Sequence, residues 1–80
     1  MRWEIHLGNA RLLRAGGDDY GALESFKLAL DSADRLNDAN GRLQILKEMQ
    51  RYYVFLSLSD DEATKLGLPT AAQLSARIES

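Results

Sequence analysis

An all-α fold of four or five helices is what this 80-residue sequence predicts, and three observations carry it. Apolar residues recur at i, i+3, i+4 and i+7 through most of the chain. Glycines and polar clusters cut the chain into five such segments. The single proline, Pro69, lies near the end, where it interrupts only the last segments.

The first segment, residues 2–15, sets Trp3, Leu7 and Ala10 at helical spacing with Leu13 alongside. It turns Arg11 and Arg14 outward and runs into Gly16-Gly17, a pair suited to stopping a helix. In the second, Asp18 or Asp19 caps the start, where a carboxylate complements the helix dipole. Ala22, Leu23, Phe26, Ala29, Leu30, Ala33 and Leu36 then form an unbroken apolar stripe, with Glu24, Lys27, Asp31, Asp34 and Arg35 opposite. Residues 37–41 read as a connection in which Asn40-Gly41 is the turn signal.

The third segment, residues 42–58, carries more apolar side chains than one stripe needs. Leu43, Leu46, Met49, Tyr53 and Leu56 make one face; Ile45, Tyr52 and Phe55 make a second. Residues 52–56 suit a strand on propensity alone, but continuity with residues 43–50 and the lack of a breaker favour one long helix. Two apolar faces mean a central helix, or one that also meets another chain. Ser59 with Glu62 three residues later is a capping-box pattern that starts a short helix at Asp60. Gly67 ends it, Leu68-Pro69 is extended, and Thr70 caps a last helix over residues 71–79 with Ala71, Leu74 and Ile78 on one side.

Composition narrows the function classes. With 45% hydrophobic and 28% charged residues the chain is too apolar for disorder. At this length only about 60% of the unfolded surface can be buried, so the core is small. There are no cysteines and one histidine, which removes disulfides, thiolate chemistry and histidine-rich metal sites. A net charge of −2 argues against a general polyanion binder. No apolar run approaches the roughly 18 residues of a membrane span, and no signal-type segment opens the chain, so a cytoplasmic protein is expected. Charge alternates along the segments: +2 over residues 1–15, −4 over 16–41, +2 over 42–58 and −2 over 59–80. Mutual screening of surface charges between antiparallel neighbours explains it, each exposed pair contributing about 0–1 kcal/mol.

Residues 3–50 resemble a tetratricopeptide (TPR) repeat, one full copy and half of the next. Leu7-Gly8-Asn9-Ala10 resembles the first-helix signature, in which the small residue lets the second helix approach. Gly17-Asp18 is similar to the family's turn, with Tyr20 one place later than usual. Ala22, Phe26, Ala29 and Leu30 match the packed positions of the second helix, and Ala33, Leu36, Asp38, Gly41, Leu43 and Leu46 fit the longer variant of roughly 40 residues. A three-helix microtubule-interacting and transport domain is similar too, but the Leu7-Gly8-Asn9 element favours the TPR. The resemblance implies an antiparallel helical hairpin extended to a four- or five-helix array, with residues 59–80 as capping helices of a single domain over residues 1–80. It also implies binding of a peptide or partner protein on a face near His6, Asn9 and Leu13, where Asn9 holds peptide backbone.

Other chemistry is set aside. His6 has no carboxylate at i±4 and no nucleophile motif beside it. The glycines around Asp18 and Asp19 lack both the Gly-Lys-Ser/Thr of a phosphate loop and the alternating carboxylates of a calcium loop. Asp60-Asp61-Glu62 complements a helix dipole. Residues 62–78 resemble a helix-turn-helix, yet the reading helix offers only Gln73, Ser75 and Arg77, and residues 59–80 carry a net charge of −2. The expectation is therefore a non-enzymatic protein-interaction module without a cofactor, an adaptor or regulator that forms a homodimer or a hetero-complex. The alternative is a small DNA-binding regulator using residues 62–78. The expected partner-binding residues are Asn9, Ile45, Tyr52 and Phe55, the last three because the C-terminal segments offer too few large side chains to cover them. Trp3 and Leu7 are the alternative cover.

Overall fold

The computed structural model describes residues 2–79, which form five α-helices and no strand. They are α1 (Trp3–Ala15), α2 (Asp19–Arg35), α3 (Ala39–Leu56), α4 (Asp60–Lys65) and α5 (Ala71–Glu79). The all-α class stands. One boundary needs correction. Asn40-Gly41 is not a turn but lies in the first turn of α3, because Asp38 accepts from the Gly41 amide at 2.9 Å and caps the helix three residues earlier than its apolar pattern begins.

The real turn is at Asn37, and it belongs to a series. Gly17, Asn37, Ser57 and Gly67 have φ of 86°, 53°, 52° and 71°. Gly17, Asn37 and Gly67 each follow a helix's C-cap, and Ser57 directly follows the last residue of α3. At each, its own amide bonds back to the carbonyl three residues earlier, and the next amide reaches five residues back: Asp18 to Leu13, Asp38 to Ala33, Leu58 to Tyr53 and Leu68 to Ala63, at 2.8–3.0 Å. This double bond pattern satisfies carbonyls that the helix end would otherwise leave open. At the first two junctions the residue after the left-handed one is an aspartate that immediately caps the next helix, Asp18 through the Gly21 amide and Asp38 through that of Gly41. Stop and start are thus three residues long. At the later junctions Leu58, and then Leu68-Pro69, intervene, and Ser59 and Thr70 take over the capping. Both do so reciprocally, with Glu62 and Gln73.

The chain divides into two compact units, Met1–Ile45 and Leu46–Ser80. In the first, α1 packs against α2. Ala10, Ala22, Ala29 and Ala33 are fully buried beside Leu7, Leu23, Phe26 and Leu30, so small side chains let the two helices approach closely. Gly8 has no part in that approach: a Cβ there would meet nothing within 4 Å. Gly41 does admit a side chain from another helix: a Cβ there would come within 2.7 Å of the Trp3 ring. Trp3 in turn donates from Nε1 to Asp38 Oδ2 at 2.8 Å. Leu36, expected in the buried stripe, is 63% exposed because it is the C-cap of α2, already turning out of the helix.

The second unit buries Leu46, Met49, Tyr52, Tyr53, Ala63, Leu68 and Leu74. Two side-chain bonds tie α3 to the C-terminal segments: Gln50 Nε2 donates to Ser75 Oγ at 2.9 Å, and the Tyr53 hydroxyl donates to the Pro69 carbonyl at 2.8 Å. Among the described residues no buried side-chain nitrogen or oxygen lacks a partner, and no helix is long and apolar enough to cross a membrane.

Candidate interaction surface

The two apolar faces read along residues 42–58 turn out to be one. Ile45, Leu46, Met49, Tyr52 and Tyr53 are all at most 3% exposed. Their offsets of 0, 1, 4, 7 and 8 residues lie within an arc of about 120° on a 3.6-residue helix, centred near Met49. Ile45 and Tyr52 are therefore core residues, not the uncovered patch that the sequence suggests. Phe55 separates from them. It lies about 60° outside that arc, in the last turn of α3, and is 79% exposed.

Phe55 is nonetheless held in place. Its ring stacks against that of Tyr52, with centroids 6.3 Å apart and planes inclined by 15°, a geometry that contributes about 0.5–1.5 kcal/mol beyond area burial. Tyr52 thus acts as a buried base for an outward aromatic. Val54, next to it and 76% exposed, widens the apolar patch. Arg51 and Lys47 are exposed on the same outer face of α3, one and two turns before Phe55. Beyond the turn come Asp60 and Asp61, both exposed at the start of α4. Val54, Lys47 and Arg51 escaped the sequence reading because it counted apolar residues by face and gave no weight to the polar side of the helix.

Asn9 and Ile45 belong to the first unit, Tyr52 and Phe55 to the second. Asn9 is exposed, with Ile5 and Leu12 at i−4 and i+3 on the same side of α1, 50% and 73% exposed. His6 and Leu13, expected beside it, are half-buried. A shallow hollow of about 350 Å³ in the same unit is lined by Arg2, Ser32, Arg35 and Leu36, and Arg2 is also within 3.6 Å of Glu4.

Two carboxylates are perturbed, both by capping. The Gly41 amide, followed by the Trp3 indole, holds Asp38 below the ordinary carboxylate range; the Ser59 amide and hydroxyl do the same for Glu62. Burial pushes the Tyr53 hydroxyl up to about 12. Among the described residues no three His, Cys, Asp or Glu side chains cluster as a metal site. The chain matches no family model, no curated protein and no solved structure.

Proposed function

We propose that this chain is a non-enzymatic protein-interaction module, an adaptor or regulator built on a TPR-like helical hairpin, and that it engages a partner through the end of α3. The observation that carries this reading is the pair Val54 and Phe55. Two adjacent apolar side chains stand more than three-quarters exposed, and one of them is braced by a buried ring. Scattered exposed leucines are common on small domains, whereas a preorganised aromatic with an arginine beside it is the composition of an interface anchor. The close α1–α2 packing through Ala10, Ala22 and Ala29 supports the hairpin part of the reading.

The helix-turn-helix alternative gains nothing from the side chains it needs. Gln73 is engaged with the Thr70 amide and Ser75 accepts from Gln50, so two of its three reading residues serve internal bonds.

A photoreactive phenylalanine analogue at position 54 tests the proposal. It should give a defined protein adduct in native extract, while the same group at Glu24, exposed on α2, should not. Equal labelling from both positions would remove the surface from consideration.

A further inference from the structure

We propose that the outer face of α3 takes an acidic amphipathic helix from a partner protein; this rests on the interaction reading above and gives the partner its chemistry. The charged side chains of α3 are Arg42, Lys47, Glu48 and Arg51. Arg42 is occupied, with Asp34 at 3.7 Å and the Asn37 side chain at 3.3 Å. Glu48, the one carboxylate of the helix, is 6% exposed and offers nothing to the surface. Lys47 and Arg51 are exposed and make no ion pair among the described residues. The charge on the face of α3 that carries Val54 and Phe55 is therefore basic only, and its neutralisation falls to the partner.

All four side chains of this face belong to one helix, so their spacing follows from helix geometry. Arg51 and Lys47 stand about 6 and 12 Å along the axis from Phe55. A second helix repeats the side chains of one face at the same interval. An apolar residue set over Phe55 and Val54 thus brings carboxylates one and two turns away opposite Arg51 and Lys47. Burial of the apolar pair supplies the attraction, and the charges select the partner. An extended peptide fits this face less well, because the outside of a helix has no free backbone groups to pair with it, whereas a helix satisfies its own. An anionic bilayer requires a wide apolar stripe. In α3 the wide stripe, from Ile45 to Tyr53, is buried, which leaves two apolar side chains outside. A nucleic acid draws on many cations, and this chain carries a net charge of −2.

Fluorescence anisotropy of labelled alanine-based helices against the full chain tests this. One peptide of about 20 residues carries a central leucine pair with glutamates one and two turns to either side on the same face. A second has lysines in place of the glutamates. The glutamate peptide should bind saturably, more weakly as salt is added, and about tenfold or more tighter than the lysine peptide. Lys47→Glu combined with Arg51→Glu should reverse that order. Phe55→Ser should abolish binding with an unchanged circular dichroism spectrum. No binding of the glutamate peptide overturns the inference, as does equal affinity for the two peptides or an order that survives the charge reversal. Phe55-dependent binding to phosphatidylserine–phosphatidylcholine vesicles or to duplex DNA, tighter than to the glutamate peptide, overturns it too. So does a homodimer in sedimentation equilibrium that Arg51→Glu dissociates, since the occupant is then a second copy. If the glutamate peptide fails while position 54 still gives a defined adduct in native extract, the acidic occupant falls and the interaction module stands. If both fail, both readings fall.

Discussion

Trp3 and Asp38 are joined across 35 residues of chain by one hydrogen bond, from the indole Nε1 to Oδ2, at 2.8 Å. The other oxygen of the same carboxylate caps α3 through the Gly41 amide. One side chain therefore fixes both where α3 begins and where α1 lies against it. The arrangement needs an ionised carboxylate, which accepts at both oxygens.

The first prediction is acid sensitivity at this point. The folded pKa of Asp38 is held below its ordinary value of 3.8. Its stabilising contribution is thus complete above that value and is lost as pH falls through the folded one. Asp38→Asn keeps one acceptor and loses the other, so it should lower the melting temperature near neutrality. The gap from wild type should close on acidification below about pH 4. Trp3, the only tryptophan, reports the contact by fluorescence. A gap that stays constant into acid would sink the idea.

The second concerns two helical glycines with opposite surroundings. Gly8→Ala places a methyl in open space and removes a helix-breaking residue, so it should stabilise by about 0.5–1 kcal/mol. Gly41→Ala drives a methyl into the Trp3 ring and should destabilise despite its better helix propensity. Urea titrations that move both midpoints in one direction would contradict the packing described.

The third concerns the left-handed positions. Ser57 and Asn37 adopt φ near +50° with side chains that oppose it. Glycine there should stabilise by about 0.5–1 kcal/mol, more at Ser57 than at Asn37, since asparagine tolerates this conformation better. Thermal melts of the two variants give the order directly.

The fourth separates the stacked rings. Tyr52 is 2% exposed and Phe55 79%. Tyr52→Ala should cost about 3–5 kcal/mol, as for other buried aromatics. Phe55→Ser should stay within about 1 kcal/mol of the wild-type monomer, losing only the stack. Equal losses from both would mean that Phe55 is part of the core.

The fifth is alkaline. Burial raises the Tyr53 hydroxyl to about 12 from an ordinary 10.0, so the folded state holds this proton more tightly. The associated stability is whole below pH 10 and declines as pH rises toward 12. Tyr53→Phe should abolish that decline, at the cost of the bond to the Pro69 carbonyl. Denaturant midpoints across that window decide it.

Helix number, the Ser59 and Thr70 caps and the stop at Gly67 were legible in the sequence, because each depends on side chains within three or four residues of one another. The start of α3 was not. Asn-Gly is a strong turn pair in isolation, and nothing local reveals that Asp38 will cap across it while Trp3 occupies the space that Gly41 leaves. The surface was half legible. That 42–58 held excess apolar residues was evident, but Ile45, Tyr52 and Phe55 share a helical side to within a fraction of a turn. Phe55 lies about 60° beyond Tyr52 around the helix, and where along that side the cover stops depends on tertiary packing. The role of Asn9 rests on a resemblance; the structure adds only that its side of α1 is open.

The left-handed residues Gly17, Asn37 and Ser57 fall twenty positions apart, and this spacing bears on synthesis. A ribosome adds about 5–20 residues per second, so each of the first three helices arrives with its own stop roughly every 1–4 s. Helix relaxation takes about a microsecond. The bonds that end each helix reach back no more than five residues, so each stop needs no residue of the helix that follows it. The nascent chain is parcelled in the order it emerges. The hairpin of α1 and α2 waits only for Asp38 and Gly41 to follow before its tryptophan is secured.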